Sequence, residues 1–240
     1  MIFFDTIDST NTWAAAHFAE LADGELVAAA VQTAGRGRLD RTWISPRGNI
    51  YASYILKDVS SPLLGVAAGS LAALELVREL APAENFHIKW PNDVFCGTAK
   101  ISGILAQSIS PRTGAPGGLV TGIGINLNMS RAELAAAAQE TTSVAILTGA
   151  PCDWEAALKR FEELLHNNAA KLRNSPDSLF ARWKKENGLL GRRVEFLAGD
   201  GSHLTGLFRE IAPDGSVILD EDDGRTLTLN CGDVRLLTRA

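Results

Sequence analysis

Cysteine and histidine are scarce in this chain, and neither occurs in a metal-binding pattern. The 240 residues include three cysteines and four histidines, without a C-x-x-C pair. Structural zinc sites and disulfide frameworks require closely spaced or paired ligands of these types. A zinc site and a disulfide-stabilised secreted fold are therefore excluded, and we expect a cytoplasmic protein with reduced thiols.

Long hydrophobic runs and an excess of positive charge are missing as well. The longest apolar stretch, residues 63–77, is interrupted by glycine, serine and glutamate, and no basic segment opens the chain. These features exclude a membrane span and an export signal. The net charge of -5 argues against a broad nucleic-acid surface, which needs many lysine and arginine contacts to phosphate. We expect neither a membrane nor a nucleic acid as partner.

The hydrophobic content of 46 % is sufficient for a folded core. Short β-like runs alternate with helical patterns up to about residue 187. The β-like runs lie at residues 26–33, 50–57 and 119–126, and residues 94–96 and 100–110 suggest a hairpin after a turn at residues 91–93. The helical patterns lie at residues 63–81 and 153–187, with a further alanine-rich helix opening after Asp8 and Ser9. This order predicts an α+β fold in which a mixed β-sheet packs against helices.

Beyond Asn187 the composition changes to short alternating runs separated by turns. The turns contain Gly201, Gly215 and Gly224. Turn signals at such regular intervals are typical of a small barrel of about five strands. We therefore predict two domains, a larger one over residues 1–187 and a small β-barrel over residues 188–240.

The clearest functional signal is an arginine-rich loop between two predicted strands. In this arginine loop, residues 33–47, arginines are interspersed with glycine and an aromatic residue: Gly35, Arg36, Gly37, Arg38, Arg41, Trp43 and Arg47. Glycine allows close approach of the main chain to a ligand, and guanidinium groups donate paired hydrogen bonds that fit phosphate. A solvated charged turn is the alternative. The position between two apolar strands favours a loop that binds a phosphorylated ligand.

Two further segments carry candidate site residues. Lys89 precedes a predicted turn that contains Asn92 and Asp93, and Lys100 opens the apolar strand that follows. The turn is equally compatible with a simple Asx turn at a strand end. A lysine that enters an apolar run either extends to the surface or meets a buried anion. Asn126 lies at the end of a glycine-containing strand. It either begins a turn or contacts a ligand.

Five segments, taken with their order and spacing, resemble the biotin protein ligase family. They are residues 8–11, 32–38, 89–93, 100–105 and 122–128. The resemblance runs from about residue 4 to the C-terminus. It implies a fold similar to the class II aminoacyl-tRNA synthetases, followed by a small SH3-like β-barrel. Because the chain begins directly at the catalytic domain, we expect the monofunctional form, without an N-terminal DNA-binding domain and without repressor function.

The resemblance also implies an activity. The family joins biotin to ATP, forming biotinyl-5′-adenylate and pyrophosphate, and then transfers biotin to one lysine of a biotin carboxyl carrier protein. We accordingly expect a biotin–acetyl-CoA-carboxylase ligase that uses biotin and ATP as substrates and Mg2+ as cofactor. It is expected to be a monomer or a homodimer.

The roles of individual residues follow from the same resemblance. Those expected at biotin are Ser9, Thr10, Asn11, Gln32, Gly35, Arg36, Gly37, Arg38 and Lys100. Those expected at the nucleotide are Arg36, Arg38, Arg41, Trp43, Lys89, Asn92 and Asn126. The expected catalytic set is Lys100, Arg36, Arg38 and Asp93, with Lys100 as an electrostatic catalyst between the biotin carboxylate and the α-phosphate. Asp93 is also the expected Mg2+ ligand.

One departure from the family pattern leaves alternatives open. Where bacterial members commonly continue the arginine loop with arginine and glycine, this chain has Leu39 and Asp40, which removes a cation and adds an anion. The loop would then close differently over the adenylate.

The alternative functions are a lipoate–protein ligase, which shares the general fold and the acyl-adenylate chemistry, and a noncatalytic biotin or adenylate sensor.

Overall fold

A seven-stranded mixed sheet forms the centre of the larger part of the molecule. The structure, a computed structural model, describes residues 1–38, 41–110, 117–137, 139–198, 201–230 and 232–237, so Leu39 and Asp40 lie outside the described residues. The strands are β1 (Ile2–Ile7), β2 (Leu26–Gln32), β3 (Ile50–Lys57), β4 (Phe86–Lys89), β5 (Asp93–Cys96), β6 (Ala99–Ile109) and β7 (Gly118–Ile125). They lie in the order β1-β2-β3-β7-β6-β5-β4. Strands β1 and β2 pair in parallel and the other neighbours pair antiparallel, which confirms the predicted mixed sheet.

The helices flank this sheet. They are α1 (Thr10–Ala16), α2 (Pro62–Leu80), α3 (Arg131–Leu134), α4 (Val144–Thr148), α5 (Trp154–Asn174) and α6 (Pro176–Lys185). The single helical pattern predicted over residues 153–187 is wrong in one respect, since it is divided into α5 and α6. The division falls at Ser175, which is both the C-cap of α5 and the N-cap of α6, directly before Pro176. Proline has no N–H to continue a helix and is favoured in its first turn.

Successive residues of β7 point alternately to the two faces of the sheet. Ile123 faces α2, where a Cβ atom added to Gly69 would lie 3.3 Å from Ile123 Cγ1. Gly122 and Gly124 face the opposite side, where a Cβ atom added to Gly122 would lie 2.8 Å from Asn11 Oδ1. Helix α2 thus covers one face, with α5 and α6 packed against it. Helix α1 covers only part of the other face and leaves the remainder for a cavity.

A second sheet follows α6. Its strands are β8 (Arg193–Ala198), β9 (His203–Ile211), β10 (Val217–Glu221), β11 (Thr226–Leu229) and β12 (Gly232–Leu236). All pairs are antiparallel, in the order β11-β10-β9-β8-β12. Five strands agree with the expected SH3-like unit. Within the described residues, the edge strands β11 and β12 do not pair, so the five strands form an antiparallel sheet that is not closed.

The two sheets are connected by specific contacts. Residues 186–188 run beside β4, where Ile88 N donates to Glu186 O and Gly188 N donates to Ile88 O, both at 2.9 Å. Trp90 Nε1 donates to Gly215 O at 2.9 Å, and the rings of Trp90 and Phe196 lie 5.7 Å apart. One continuous hydrophobic cluster includes residues from both sheets. The second sheet is therefore held against the turn that carries candidate site residues.

Among the residues that the structure describes, no helix is both long and apolar enough to cross a membrane.

Candidate active site

A cavity of about 510 Å3 opens on the sheet face that α1 leaves uncovered. The arginine loop, the turn before β5, the segment after β7 and strand β12 border it. The predicted site residues in its wall are Ser9, Thr10, Asn11, Gln32, Arg36, Gly37, Arg38, Arg41, Trp43, Lys89, Asn92, Asp93, Lys100 and Asn126. The structure thus brings together residues that are more than 100 positions apart in the sequence.

Gly35 is the one predicted site residue that is not part of the cavity wall. A Cβ atom at this position would lie 2.4 Å from Trp43 O and 2.6 Å from Ser45 Oγ. The absence of a side chain here lets the two ends of the arginine loop approach, and Trp43 N donates to Gly35 O at 2.9 Å. Gly35 therefore affects the shape of the arginine loop without lining the cavity.

Polar side chains at one end of the cavity form a hydrogen-bonded network. Gln32 Oε1 accepts from Thr10 N at 2.9 Å, and Gln32 Nε2 donates to Ser45 Oγ at 3.1 Å. Ser53 Oγ donates to Thr10 Oγ1 at 2.9 Å and lies 3.3 Å from Asn11 Oδ1. Because each group is fixed by a neighbour, the network presents a set of donors and acceptors in a defined arrangement to a polar ligand.

Ser45 and Ser53 belong to this network although we did not predict them from the sequence. A signal for Ser53 was present, because it is a small polar residue in the middle of β3, among mostly apolar neighbours, and the structure buries it fully. A buried hydroxyl requires a hydrogen-bond partner. Ser45 offered no such signal, since it lies in a loop in which many serines are simply solvated.

Trp43 forms part of the cavity wall by lying across two glycines of the sheet. A Cβ atom at Gly124 would lie 2.4 Å from Trp43 Cε2, and one at Gly103 would lie 3.1 Å from Trp43 Cζ3. Strands β6 and β7 pair these two glycines with each other. Two adjacent positions without side chains therefore create the flat surface on which the indole ring packs.

Lys100 and Asp93 form an ion pair at the centre of the site. Lys100 Nζ lies 2.7 Å from Asp93 Oδ1, and the side chains are only 13 % and 16 % exposed. The antiparallel pairing of β5 and β6 brings the two residues together. Lys100 Nζ also lies 5.3 Å from the centroid of a Trp43 ring. Lys100 therefore meets a buried anion, one of the two interpretations left open by the sequence.

Asn92 and Asn126 are both engaged with the main chain. Asn92 Nδ2 donates to Ile104 O at 2.7 Å, and its Oδ1 accepts from Arg38 Nη1 at 2.7 Å. Asn126 Nδ2 donates to Thr142 O at 3.1 Å. Asn92 thereby fixes a guanidinium of the arginine loop over the turn, whereas Asn126 fixes the segment that closes the far side of the cavity.

Lys89 is a second lysine at the cavity. Its Nζ lies 4.7 Å from the ring centroid of Phe95. Burial lowers the pKa of Lys89, and the charges of Asp93 and Asp233 oppose this shift while those of Lys100 and Arg235 add to it. A bound anion would stabilise the protonated form of Lys89 and so raise its pKa.

The second sheet also reaches the cavity through β12. Asp233, Val234 and Arg235 form part of the wall, and Arg41 Nη2 lies 2.5 Å from Asp233 Oδ2. We did not predict these residues, nor the segment after β7 that supplies Leu134, Ala137, Gln139 and Thr141. The alternation along β12 shows which residues share a face, but it contains no information about the loop that this face meets.

Asp233→Asn is expected to reduce stability only slightly and in a pH-dependent way. Burial raises the pKa of Asp233, but the hydrogen bond of Arg41 and the charges of Arg41, Lys89 and Arg38 together outweigh burial, and the net pKa is lowered. Such a carboxylate stabilises the fold above its unfolded pKa, and this contribution is lost as the pH falls through the folded pKa. Because the pair is exposed, the contribution is at most about 1 kcal/mol.

Urea unfolding of the wild type and of Asp233→Asn, measured at several pH values, tests this expectation. The small difference in unfolding free energy should be present near neutral pH and should decline between about pH 5 and about pH 3. A difference that is independent of pH would show that the ion pair with Arg41 is not its source.

Metal ligands are few at this site. Over the described ranges, no group of three histidine, cysteine, aspartate or glutamate side chains is placed to share a metal ion. Mg2+ needs only one or two carboxylates when phosphate and water oxygens complete its coordination. Asp93, whose side chain is in the cavity wall, meets this minimum. The residues present fit a Mg2+ ion that arrives with phosphate groups.

The fold and the cavity define an α+β protein with a binding site for an anionic, phosphate-bearing ligand. Residues 3–126 match the biotin/lipoate A/B protein ligase family, and residues 189–237 match the biotin protein ligase C terminal domain. The chain therefore belongs to the biotin/lipoate A/B protein ligase family, within its biotin protein ligases, which confirms the resemblance of the five segments.

Individual relatives cover nearly the whole chain. The biotin–acetyl-CoA-carboxylase ligase of Paracoccus denitrificans is 33 % identical over 232 residues, with 91 % of this chain and 93 % of that protein covered. The bifunctional ligase/repressor BirA of Escherichia coli K12 is 30 % identical over 233 residues, with 90 % of this chain and 68 % of that protein covered. The biotin protein ligase from Aquifex aeolicus in complex with biotin and ATP has the same fold, with a TM-score of 0.80, 24 % identity and 98 % of both chains covered.

Proposed function

We propose that this protein activates biotin with ATP and transfers it to a lysine of a biotin carboxyl carrier protein. The relatives named as biotin–acetyl-CoA-carboxylase ligases support this reaction. The observation that carries the proposal is the ion pair of Lys100 with Asp93, at 2.7 Å, in the wall of the cavity that the arginine loop borders. A fixed, largely buried cation at this place suits a reaction between two anions.

In the first step, a carboxylate oxygen of biotin attacks the α-phosphorus of ATP. The bond from this phosphorus to the oxygen that bridges to the β-phosphate breaks, and pyrophosphate leaves with the electron pair. Lys100 offsets the repulsion between the carboxylate and the α-phosphate and stabilises the charge that develops on the phosphorus oxygens. Arg36 and Arg38 contribute further hydrogen bonds to these oxygens, each charge-assisted bond being worth about 1.5–3 kcal/mol.

The two substrates occupy different parts of the cavity. Ser9, Thr10, Asn11 and Gln32 hold the polar head group of biotin, because their network presents both donors and acceptors. The biotin tail then extends along Gly37 towards Lys100.

The nucleotide lies on the side of Trp43. The residues that contact it are Arg36, Arg38, Arg41, Trp43, Lys89, Asn92 and Asn126, all in the cavity wall. Asp93 is the residue that would hold Mg2+. When bound, Mg2+ neutralises part of the phosphate charge.

In the second step, the neutral amine of the acceptor lysine attacks the carbonyl carbon of biotinyl-5′-adenylate. A carbon–nitrogen bond forms, the carbon–oxygen bond to the phosphate breaks, AMP leaves with the electron pair, and the amine loses a proton. The mixed anhydride is easily hydrolysed, so the arginine loop is proposed to close over it until the carrier arrives.

The remaining parts of the proposal concern organisation. The division into a catalytic domain over residues 1–187 and a small domain over residues 188–240 is consistent with the change of sheet after α6. We place the protein in the cytoplasm, where carboxylases and their carriers are the substrates of such a ligase, and we propose a monomer or a homodimer.

Purified protein should catalyse ATP–pyrophosphate exchange with Mg2+ only when biotin is added. The experiment compares biotin, lipoate and no added acid side by side, because formation and reversal of the acyl-adenylate is what the exchange measures. Exchange with lipoate instead of biotin would assign the protein to lipoate activation. Tight binding of biotin without any exchange would favour the noncatalytic sensor.

A further inference from the structure

Ser45 is a buried serine to which the proposed reaction assigns no role. It lies near the end of the arginine loop, is only 6 % exposed and is not part of the cavity wall. Gln32 Nε2, directly before the loop, donates to Ser45 Oγ at 3.1 Å, and Ser45 Oγ donates to Trp43 O at 2.8 Å. A hydroxyl that does not line the cavity can affect a ligand only through such neighbours.

A main-chain contact and a glycine keep Ser45 against Gln32. Gln32 N donates to Ser45 O at 3.2 Å. A Cβ atom at Gly35 would lie 2.6 Å from Ser45 Oγ and 3.1 Å from Gln32 Nε2. Because residue 35 has no side chain, the space for the hydrogen bond between Gln32 and Ser45 stays free.

The direction of the hydrogen bonds around Ser45 follows from main-chain groups whose roles cannot change. Trp43 O can only accept, so the single hydroxyl proton of Ser45 is used there, and Ser45 Oγ can only accept from Gln32. At the other end of the amide, Thr10 N can only donate, and it meets Gln32 Oε1 at 2.9 Å. The reverse orientation of the amide would bring two acceptors together at Ser45 and two donors together at Thr10.

The fixed amide of Gln32 also determines the role of the Thr10 hydroxyl. Thr10 Oγ1 donates to Gln32 Oε1 at 3.2 Å and accepts from Ser53 Oγ at 2.9 Å. Its only proton is thus used within the network, and one lone pair is left to accept from a ligand. Gln32, which is in the cavity wall, has a second Nε2 hydrogen that the bond to Ser45 leaves for an acceptor of the ligand.

We propose that Ser45 is a positioning residue for biotin, because it fixes the orientation of the Gln32 amide and, through it, the pattern of donors and acceptors at the biotin end of the cavity. The inference rests on the proposed function and adds to it a residue that does not touch the substrate. The pattern matches a cyclic urea, in which N–H groups donate and a carbonyl accepts. The dithiolane ring of lipoate has neither group, so Ser45 contributes to the choice between the two acids.

Ser45→Ala is expected to raise the Kd for biotin about fivefold, the effect of losing a single neutral hydrogen bond. The main chain of Trp43 keeps its hydrogen bond to Gly35, so the KM for ATP should not change. Calorimetry gives the Kd for biotin, and biotin-dependent exchange at saturating biotin gives the KM for ATP and kcat. An unchanged Kd for biotin, or a KM for ATP that rises as much as this Kd, would overturn the proposal.

Ser70→Ala is the matched control. Ser70 is also buried, and its hydroxyl donates to the main-chain oxygen of Val66 at 2.6 Å, within α2 on the opposite face of the sheet. Removal of this hydroxyl should leave the Kd for biotin and the exchange rate unchanged. A rise in the Kd equal to that of Ser45→Ala would show that the loss of any buried hydroxyl weakens biotin binding, which contradicts a specific role of Ser45.

Two further measurements separate positioning from a structural effect. Once Gln32→Ala has removed the amide, adding Ser45→Ala should raise the Kd for biotin no further, and additive losses would contradict the proposal. The ratio of the Kd for lipoate to the Kd for biotin should fall in Ser45→Ala, because only biotin uses the oriented donors and acceptors. A general loss of structure would instead weaken the binding of both acids equally.

Failure of the proposed function would be recognised separately, because the wild type itself would then not bind biotin. The contact between Gln32 and Ser45 can still be tested without a ligand, by urea unfolding of the wild type, both single variants and the double variant. Non-additive losses of unfolding free energy support the contact, and additive losses contradict it.

Discussion

Lys100→Ala is expected to reduce biotin-dependent ATP–pyrophosphate exchange by about 1,000-fold. The lysine supplies a fixed charge where two anions meet and where negative charge develops on the phosphorus oxygens. Its ammonium is held by Asp93 at 2.7 Å in a largely buried position, so little reorganisation is needed when the substrates bind. Steady-state exchange with saturating biotin and ATP measures the effect, and Lys184→Ala, which alters a surface ion pair with Glu210, is the control.

The same substitution should also affect stability, and the two effects can be separated. Without Lys100, the Asp93 carboxylate is left largely buried without its cation, which is expected to cost about 2 kcal/mol of unfolding free energy. Adding Asp93→Asn to Lys100→Ala removes the unpaired charge and should recover part of the stability but none of the exchange. Recovery of exchange in the double variant, or normal exchange by Lys100→Ala, would remove Lys100 from the catalytic residues.

Gly124→Ala is expected to lower exchange by roughly 100-fold although it adds only one methyl group. The new Cβ atom would lie 2.4 Å from Trp43 Cε2, a distance that cannot be tolerated without displacement of the indole. Because the ring lies between the sheet and the cavity, its displacement should distort the wall where the nucleotide binds. Overpacking of this kind also costs about 1–3 kcal/mol of stability.

A double-variant cycle with Trp43→Ala identifies the cause. If the clash with the indole is responsible, Gly124→Ala should add little further loss once Trp43 has been truncated. Exchange rates and urea unfolding of the wild type, both single variants and the double variant provide the comparison. Fully additive losses would mean that Gly124 acts through a contact other than Trp43.

Local sequence patterns were sufficient for most of the fold. Strands β2, β3 and β7 and helix α2 have long apolar patterns, and they were predicted to within about two residues. The short helices α3 and α4 were not predicted, because four or five residues contain too little periodicity to indicate a helix. The division between α5 and α6 could have been predicted, since Pro176 is visible in the sequence.

The candidate site was predictable only where several chemical types lie close together in the sequence. The arginine loop and the turn before β5 were found in this way, and both border the cavity. That Gly103 and Gly124 accommodate Trp43 was not predictable. A glycine in a strand permits close approach, but the sequence does not show whether a ligand or a side chain approaches it. Arg235 was missed for a related reason, since only tertiary packing places β12 beside the cavity.

The hydrogen bond from Trp90 to Gly215 has a consequence for how the protein can be divided. A chain ending after α6 would lose the acceptor of the Trp90 indole N–H and the aromatic neighbour Phe196. Trp90 directly precedes Pro91, Asn92 and Asp93, so the loosened residue is connected to the residues that hold Arg38 and Lys100. The second sheet follows the first in the chain but supports the turn beside the cavity, so we expect a chain that ends after α6 to lose exchange activity.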